Sequence, residues 1–322
     1  MSAFFIKIPL NTAWFFGLIS LAVTAAPGWS QETPANMPIA DLHFHPEHFR
    51  GPETFSTVFD RSGVRWFGLG ERVGGRRVMQ AYKSFFPERY IGFGGQSSLY
   101  AFFDRIGAEA INTESIVDDP EFKEILRVFG RLLKTKEIVG FGELFVNNRR
   151  SHPQGKNPIK IKVDGPAIRA LFELVAIHDG FLAFHMEADA DSLAQLEALA
   201  SSNRKGRIIL NHCGVNASSE TIARLFATHP NLFCEFSCRY DPTIPKSMAA
   251  DYIFDRFTIQ SGWKKVIIKH ADRFMVGTDV KEDAVYEHAI ETVRFGLLAN
   301  LPQDVAQAVA YGNAQRLFNL TK

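Results

Sequence analysis

Short apolar runs alternate with longer amphipathic segments along the chain from residue 37 onward. Eight of these runs have the near-continuous hydrophobicity of parallel strands that are covered on both faces. The predicted strands are 39–45, 64–70, 90–96, 138–144, 181–187, 207–213, 232–238 and 274–279. Segments with helical spacing lie between them and include 121–136, 166–178, 193–201, 219–228 and 286–298.

This alternation predicts the α/β class and a single-domain (β/α)8 TIM barrel, with a last helix at 304–317 on its outside. The hydrophobic content of 46% is enough to fill such a core. An open doubly wound sheet is the alternative, and it would carry a glycine-rich phosphate loop after the first strand. Residues 46–50 read PEHFR and contain no glycine, which favours the barrel.

The first thirty residues differ from the rest of the chain. Lys7 precedes an apolar run at 14–26, and small residues follow it, which is typical of a secretory signal peptide. The run is shorter than the roughly twenty residues that cross a bilayer, so an uncleaved anchor is the less favoured alternative. We therefore expect a signal peptide at 1–30, a barrel domain at 31–322, and a mature protein that is periplasmic or secreted and not membrane-bound.

Charge and cysteine content exclude two classes of protein. Lys and Arg number 36 against 35 Asp and Glu, and this balance argues against nucleic-acid binding. Three cysteines are too few for a disulfide scaffold, and Cys234 and Cys238 would lie about 13 Å apart along a strand. We expect Cys213, Cys234 and Cys238 to be buried thiols. Nothing in the sequence excludes a homo-oligomer.

Metal-competent side chains occur at the ends of five predicted strands. His43 and His45 are two residues apart, so a strand would direct both rings to the same face. The carboxyl ends of barrel strands converge on one bowl, where catalytic groups are found. The sequence therefore predicts a metal site there, with six candidate ligands: His43, His45, Glu143, His185, His212 and Asp279.

The ordered motifs resemble the amidohydrolase superfamily, and most closely its amidohydrolase-2 branch, with some features of TatD-like hydrolases. The matching stretches are ADLHFHP at 40–46, GFGEL at 140–144, FHME at 184–187, NHCG at 211–214, VGTDV at 276–280 and GNAQRLFNL at 312–320. The resemblance implies that His43, His45, His185 and Asp279 hold a divalent metal. It implies that His212 either binds a second metal or hydrogen-bonds the attacking water.

Many members of the superfamily bridge two metals with a carboxylated lysine at the end of strand four, where this chain has Glu143. A glutamate bridge between two ions and a free carboxylate beside a single ion both remain open. Imidazole and carboxylate ligands suit Zn, which is the expected ion, with Mn, Fe or Co as alternatives.

This ligand set predicts an enzyme. A divalent ion lowers the pKa of bound water from about 15.7 towards roughly 7, so that hydroxide forms at neutral pH. Asp279 would take the proton of the water and return it to the leaving group. We expect a hydrolase of an ester, lactone, amide or phosphoester bond. A non-oxidative metal-dependent decarboxylase is the alternative, and a non-catalytic exported binding protein is a less favoured third hypothesis.

Arginines in the predicted loops indicate a small anionic substrate. Arg72 and Arg150 follow strands two and four, and Arg239 directly follows strand seven. Guanidinium groups match carboxylates and phosphates, so these residues are candidate substrate ligands. Gln96, at the end of strand three, is a further candidate for a polar contact.

Overall fold

The computed structural model describes residues 32–45, 51–69, 75–148, 161–240 and 252–321. Within these ranges, eight parallel strands pair in chain order, each with the next. The strands are β1 (Ile39–Phe44), β2 (Val64–Leu69), β3 (Tyr90–Gly94), β4 (Gly140–Phe145), β5 (Phe181–His185), β6 (Arg207–Leu210), β7 (Leu232–Glu235) and β8 (Phe274–Met275). Single bridges from Asp41 to Val276 and from Phe44 to Val280 join the last strand to the first. The predicted (β/α)8 barrel is confirmed.

Helices alternate with the strands and cover the outside of the barrel. They are α1 (Pro52–Ser62), α2 (Gly75–Phe85), α3 (Gln96–Ile106), α4 (Ala108–Ile111), α5 (Pro120–Lys134), α6 (Pro166–Ile177), α7 (Ala190–Ser202), α8 (Ser219–Thr228), α9 (Ser261–Lys269), α10 (Asp283–Thr292), α11 (Gln303–Gln307) and α12 (Asn313–Phe318). None of these helices is long and apolar enough to cross a membrane. The signal peptide predicted at 1–30 lies outside the described residues.

Local sequence explains where several helices begin. Proline occupies the first helical position of α1, α5 and α6, where its missing N–H costs no hydrogen bond. Asp119, Asp189 and Ser218 each accept backbone N–H bonds at the start of α5, α7 and α8. These signals place the helix starts within a few residues of their predicted positions.

Several predicted elements differ in detail from the structure, and two of them bear on the fold around the site. The predicted helix at 304–317 is divided into α11, a π-helical turn at Ala308–Gly312, and α12. The predicted strand at 207–213 ends at Leu210, because the chain turns at Asn211–Cys213 with His212 and Cys213 at φ 58° and 49°. Strand geometry requires negative φ, so this turn ends β6 just before the candidate ligand.

Phenylalanine dominates the packing between the barrel and its first helices. Phe59 of α1 is fully buried, and its ring lies 4.7 Å from that of Phe67 and 5.3 Å from those of Phe44 and Tyr286, centroid to centroid. Aromatic rings at these separations add specific attraction to the burial of their apolar area. This cluster fixes α1 and α10 against β1, the strand that carries the first two candidate ligands.

We expect Phe59→Ala to lower the free energy of unfolding by about 3–5 kcal/mol, since it opens a cavity in this cluster. Urea denaturation followed by circular dichroism measures the change. Phe257→Ala is the matched control, because that ring is 75% exposed and its removal leaves no cavity. Equal effects of the two substitutions would contradict the assigned core.

Candidate metal centre

The structure brings the six candidate ligands together at the carboxyl ends of the strands. In the first group, Nε2 of His43 and Nε2 of His45 are 2.9 Å apart. Oδ1 of Asp279 lies 3.6 Å from the first of these nitrogens and 3.7 Å from the second. Three donor atoms from β1 and from the end of β8 therefore converge on one point, and all three side chains are largely buried.

A second group lies on the other side of Glu143. Nδ1 of His185 and Nε2 of His212 are 3.0 Å apart. Oε1 of Glu143 lies 2.6 Å from the nitrogen of His185 and 3.1 Å from that of His212. These contacts link the ends of β4, β5 and β6.

Glu143 faces both groups with different oxygens. Its Oε1 contacts His185 and His212, whereas its Oε2 lies 3.7 Å from Nε2 of His43 and 3.6 Å from Nε2 of His45. The carboxylate is 97% buried, so water does not separate these charges. One carboxylate thus connects two histidine pairs.

Glu235 of β7 is a buried residue of the site that the sequence reading missed. Its Oε1 accepts a hydrogen bond from Nδ1 of His43 at 2.9 Å and another from the backbone N–H of His212 at 3.0 Å. Asn211 and Ser237 donate to the same carboxylate. Because Nδ1 of His43 is engaged by Glu235, its Nε2 is the nitrogen that faces the site. Glu235 lies three residues before the predicted strand end at 238, so the strand-end rule did not select it.

Asp41 is a second missed carboxylate, and it ties β1 to the end of β8. It accepts hydrogen bonds from the backbone N–H and the hydroxyl of Thr278, at 3.0 and 2.7 Å, and from the hydroxyl of Tyr286 at 2.7 Å. Complete burial raises the pKa of Asp41 to about 6, against the lowering effect of these hydrogen bonds. Thr278 directly precedes Asp279, so these bonds fix the position of the latter carboxylate.

Two ligands are presented from backbone positions with positive φ. His212 has φ 58° and Asp279 has φ 53°, a region that non-glycine residues adopt at a cost of about 1–3 kcal/mol. Asp279 is held by its backbone N–H, which donates to the carbonyl of His43 at 2.6 Å. The turn around His212 is held by Arg239. Such conformations persist only where surrounding contacts enforce them.

Arg239 was predicted to bind substrate, and the hydrogen bonds that the structure describes for its guanidinium go to the backbone. Its guanidinium is buried and donates to three backbone carbonyls of the turn after β6: those of His212 at 3.2 Å, Gly214 at 2.8 Å and Ala217 at 3.0 Å. It also stacks over the ring of Trp263 at 5.4 Å. An arginine that directly follows a strand can donate hydrogen bonds to backbone carbonyls or to a bound ligand. The sequence does not distinguish these two roles.

The other predicted substrate ligands have different outcomes. Arg72 and Arg150 lie outside the described residues. Gln96 is completely buried at the start of α3, and within the described ranges neither its amide nitrogen nor its amide oxygen has a hydrogen-bond partner. Tyr100, one turn further along α3, donates to the carbonyl of Glu143 at 3.3 Å. Gln96 therefore lies on the face of α3 that meets the end of β4.

The cysteines are free thiols, as predicted, but only two of them are fully buried. Cys213 and Cys234 lie in the core, whereas Cys238 is half-buried. Cys238 lies at the site, with Sγ 3.2 Å from Oδ2 of Asp279. The sequence gave no indication of thiolate ligation. Cys238 was placed at the end of a predicted strand, and the sequence does not reveal the direction of a side chain at that position.

The pKa values within the first histidine pair differ in direction. Burial lowers the pKa of His43, but the carboxylates of Asp279 and Glu235 hold it well above its usual value. At His45, burial prevails and the pKa is lowered. The pKa values of the two rings are therefore shifted in opposite directions, although their Nε2 atoms are in contact. Among the described residues, Nδ1 of His45 has no hydrogen-bond partner.

The second pair repeats this pattern. Burial lowers the pKa of His212, but hydrogen bonds to Cys238 and Glu143 hold it well above its usual value. Burial lowers the pKa of His185. In each pair, one histidine has a raised pKa and the other a lowered one.

The buried carboxylates fit divalent cations in both positions. Burial raises the pKa of Glu143, but the charges of His185 and His43 hold it well below its usual value. Burial likewise raises the pKa of Asp279, and His43 brings it down to about 2. In the described part of the chain, histidines are the ion-pair partners of these carboxylates, and Oδ1 of Asp279 accepts no hydrogen bond. Buried anions of this kind are ordinarily paired with cations or metal ions, and the nitrogen and oxygen donors suit Zn or Mn.

Comparison of the fold with solved structures finds the same architecture in several proteins. A probable 2-pyrone-4,6-dicarboxylic acid hydrolase from Acinetobacter baumannii, with citric acid bound, matches with a TM-score of 0.55 and 12% identity over 88% of this chain and 100% of that one. A dihydroxybenzoic acid decarboxylase from Polaromonas sp. JS666, with bound manganese and the inhibitor 2-nitroresorcinol, matches with a TM-score of 0.52 and 13% identity over 89% and 98%. An apo protein from Agrobacterium tumefaciens matches with a TM-score of 0.55 and 13% identity over 90% and 99%.

These structural matches share the fold with this chain at low sequence identity. A search of curated proteins finds no match. A family model described as amidohydrolase matches residues 115–320, which is more than half of the chain and includes four of the six candidate ligands. The expected family is thereby confirmed: the chain belongs to the amidohydrolase family.

Proposed function

We propose that this protein is a metal-dependent hydrolase that uses two divalent ions, bridged by Glu143, to cleave an ester, lactone, amide or phosphoester bond of a small anionic substrate. The observation that carries the proposal is the division of Glu143 between two histidine pairs, with Oε1 on His185 and His212 and Oε2 on the His43 side. A carboxylate beside a single ion has no need to place its two oxygens in two different groups of donors.

Donor spacing supports this ligand assignment. Two atoms that each lie about 2.1 Å from the same ion are about 3–3.5 Å apart at the angles of four- to six-coordinate sites. The nitrogens of His43 and His45 are 2.9 Å apart, and those of His185 and His212 are 3.0 Å apart. The oxygen of Asp279 lies 3.6 Å from His43. These separations require only small shifts to accept an ion in each group.

A bound divalent ion would acidify an attacking water and polarise the bond to be cleaved. The side chains of this protein would transfer the proton and hold the ligands in position. Asp279 accepts the proton of the water on its carboxylate and returns it to the leaving group. Glu235 holds the ring of His43, and Arg239 holds the turn that presents His212, so that the ligands keep their positions while the proton moves.

A non-oxidative decarboxylase is the second candidate function. The Polaromonas decarboxylase with bound manganese has the same fold, and this supports decarboxylation as the second candidate reaction. A centre with one ion would leave Glu143 free to contact the substrate, and Asp279 would then protonate the carbon that loses carbon dioxide. The number of ions per chain therefore separates the two functions.

We further propose that the substrate is a small anion and that the protein acts on it outside the cytoplasm. The citrate bound to the Acinetobacter protein supports an anionic ligand for this fold. In this chain, Arg72 and Arg150 are the candidate partners of such an anion, while the contacts of Arg239 assign it to the backbone. The apolar run at 14–26 supports export through a signal peptide at 1–30.

Metal content tests the bridge. Elemental analysis of protein purified without chelator should find about two equivalents of divalent metal per chain, and Glu143→Ala should lose at least one of them because both groups share this ligand. Glu220→Gln, an exposed carboxylate at the start of α8, is the control and should retain both. A single equivalent in the wild type that Glu143→Ala does not change would favour the decarboxylase, and metal-free protein would exclude both functions.

Two substitutions separate proton transfer from metal binding. Asp279→Asn should reduce turnover by about 10²–10⁴-fold while most of the metal remains, since an amide oxygen still ligates but does not carry the proton. His43→Ala should lose metal as well as activity, whereas His178→Ala, at the end of α6, should match the wild type. The assay is hydrolysis of an ester, lactone, amide and phosphoester panel, with carbon dioxide release from hydroxybenzoates in parallel. Near-normal turnover by Asp279→Asn would disprove its proton-transfer role.

A further inference from the structure

We propose that Cys238 is a metal ligand of this centre, and that it supplies a thiolate beside His212 and Asp279. The inference rests on the proposed metal centre and goes beyond the ligands that the sequence motifs indicate. It changes the expected chemistry of one ion position from nitrogen and oxygen donors alone to a mixed set that includes sulfur.

The geometry around the thiol carries this proposal. Sγ of Cys238 lies 3.2 Å from Oδ2 of Asp279. A ring nitrogen of His212, this sulfur and a carboxylate oxygen of Asp279 all lie within 4.8 Å of one another. Oδ1 of the same carboxylate lies 3.6 Å from Nε2 of His43, so Asp279 directs one oxygen to the first histidine pair and the other to the thiol. An imidazole nitrogen, a thiol sulfur and a carboxylate oxygen thus lie close enough together to share one ion.

The backbone at Cys238 supports a role for its side chain in the site. The residue has φ 52°, in the left-handed region that costs non-glycine residues about 1–3 kcal/mol. His212 and Asp279, the two residues beside it in the cluster, have φ 58° and 53°. All three residues of this group therefore have positive φ, and they follow three different strands, β6, β7 and β8.

The other two cysteines provide a contrast within the same protein. Cys213 and Cys234 are fully buried in the hydrophobic core and belong to none of the potential ligand groups of the described residues. Cys238 is half-buried and lies beside the carboxylate of Asp279. A packing role accounts for the first two residues and leaves the position of the third unexplained.

Binding of the metal would replace one bond to sulfur with another. In the metal-free chain the thiol donates its hydrogen to Oδ2 of Asp279. When a divalent cation enters, the S–H bond breaks, the proton is released to solvent, and the sulfur forms a bond to the ion without any change of oxidation state. A thiolate favours Zn, Co or Cd over Mg or Mn, so the centre should prefer the softer ions.

Cobalt spectroscopy tests the sulfur ligand directly. The full chain, stripped of metal and loaded with Co²⁺ alone, should show an intense near-ultraviolet sulfur-to-cobalt charge-transfer band together with the weaker visible bands of bound cobalt. Cys238→Ser should lose the near-ultraviolet band, keep the visible bands, and bind Co²⁺ about 10–100-fold more weakly at that position. Cys213→Ser and Cys234→Ser are matched controls and should keep the near-ultraviolet band.

Several outcomes would overturn the proposal. If the wild type binds Co²⁺ without a charge-transfer band, or if the band persists in Cys238→Ser, the thiol does not ligate and the proposed metal centre stands without it. If the wild type binds no Co²⁺, the thiolate and the metal centre both fail. X-ray absorption at the cobalt edge of the wild-type protein should detect a sulfur neighbour without any substitution, and a shell of nitrogen and oxygen alone would contradict the assignment.

Discussion

The division of one buried carboxylate between two histidine pairs is the constraint on which the site depends. Glu143 contacts His185 and His212 with one oxygen and approaches the pair on β1 with the other. A carboxylate held away from water in this way must be balanced by positive charge, since an isolated buried anion costs far more than folding supplies. The site therefore requires protons or metal ions between its nitrogens, and the pairing of the rings provides two places for them.

Around this centre lies a layer of residues that touch the ligands and fix their directions. Glu235 holds the ring of His43 and the backbone of His212, and Asp41 holds the residue before Asp279. Arg239 binds the carbonyls of the turn after β6. Burying a charge is tolerated when every lone pair or N–H group finds a partner, and these residues meet that condition with several hydrogen bonds each. Such outer contacts orient metal ligands and tune their basicity.

A probable hydrolase and a decarboxylase both share this fold, and so architecture alone does not select a reaction. What distinguishes the reactions here is local. Two ions would make Glu143 a bridge, whereas a single ion would leave its carboxylate to the substrate. A thiolate at Cys238 would also change which metal ion the site prefers, without any change to the barrel.

The sequence by itself determined the barrel, the end of the barrel that carries the chemistry and the six candidate ligands. Continuous apolar runs, helical spacing and strand-end histidines are local patterns, and the parallel barrel has only one end at which they can meet. Tertiary structure decided the contacts of Glu235, Asp41, Arg239 and Cys238. Each of these contacts depends on which atom of a distant strand or turn a side chain reaches. The positive φ values at His212, Cys238 and Asp279 also depend on those contacts, and no local pattern predicts them. Spacing along the chain fixes the end of a strand to within a few residues, but a hydrogen bond or a metal ligand is fixed to within a few tenths of an ångström, and only packing across the barrel sets that distance.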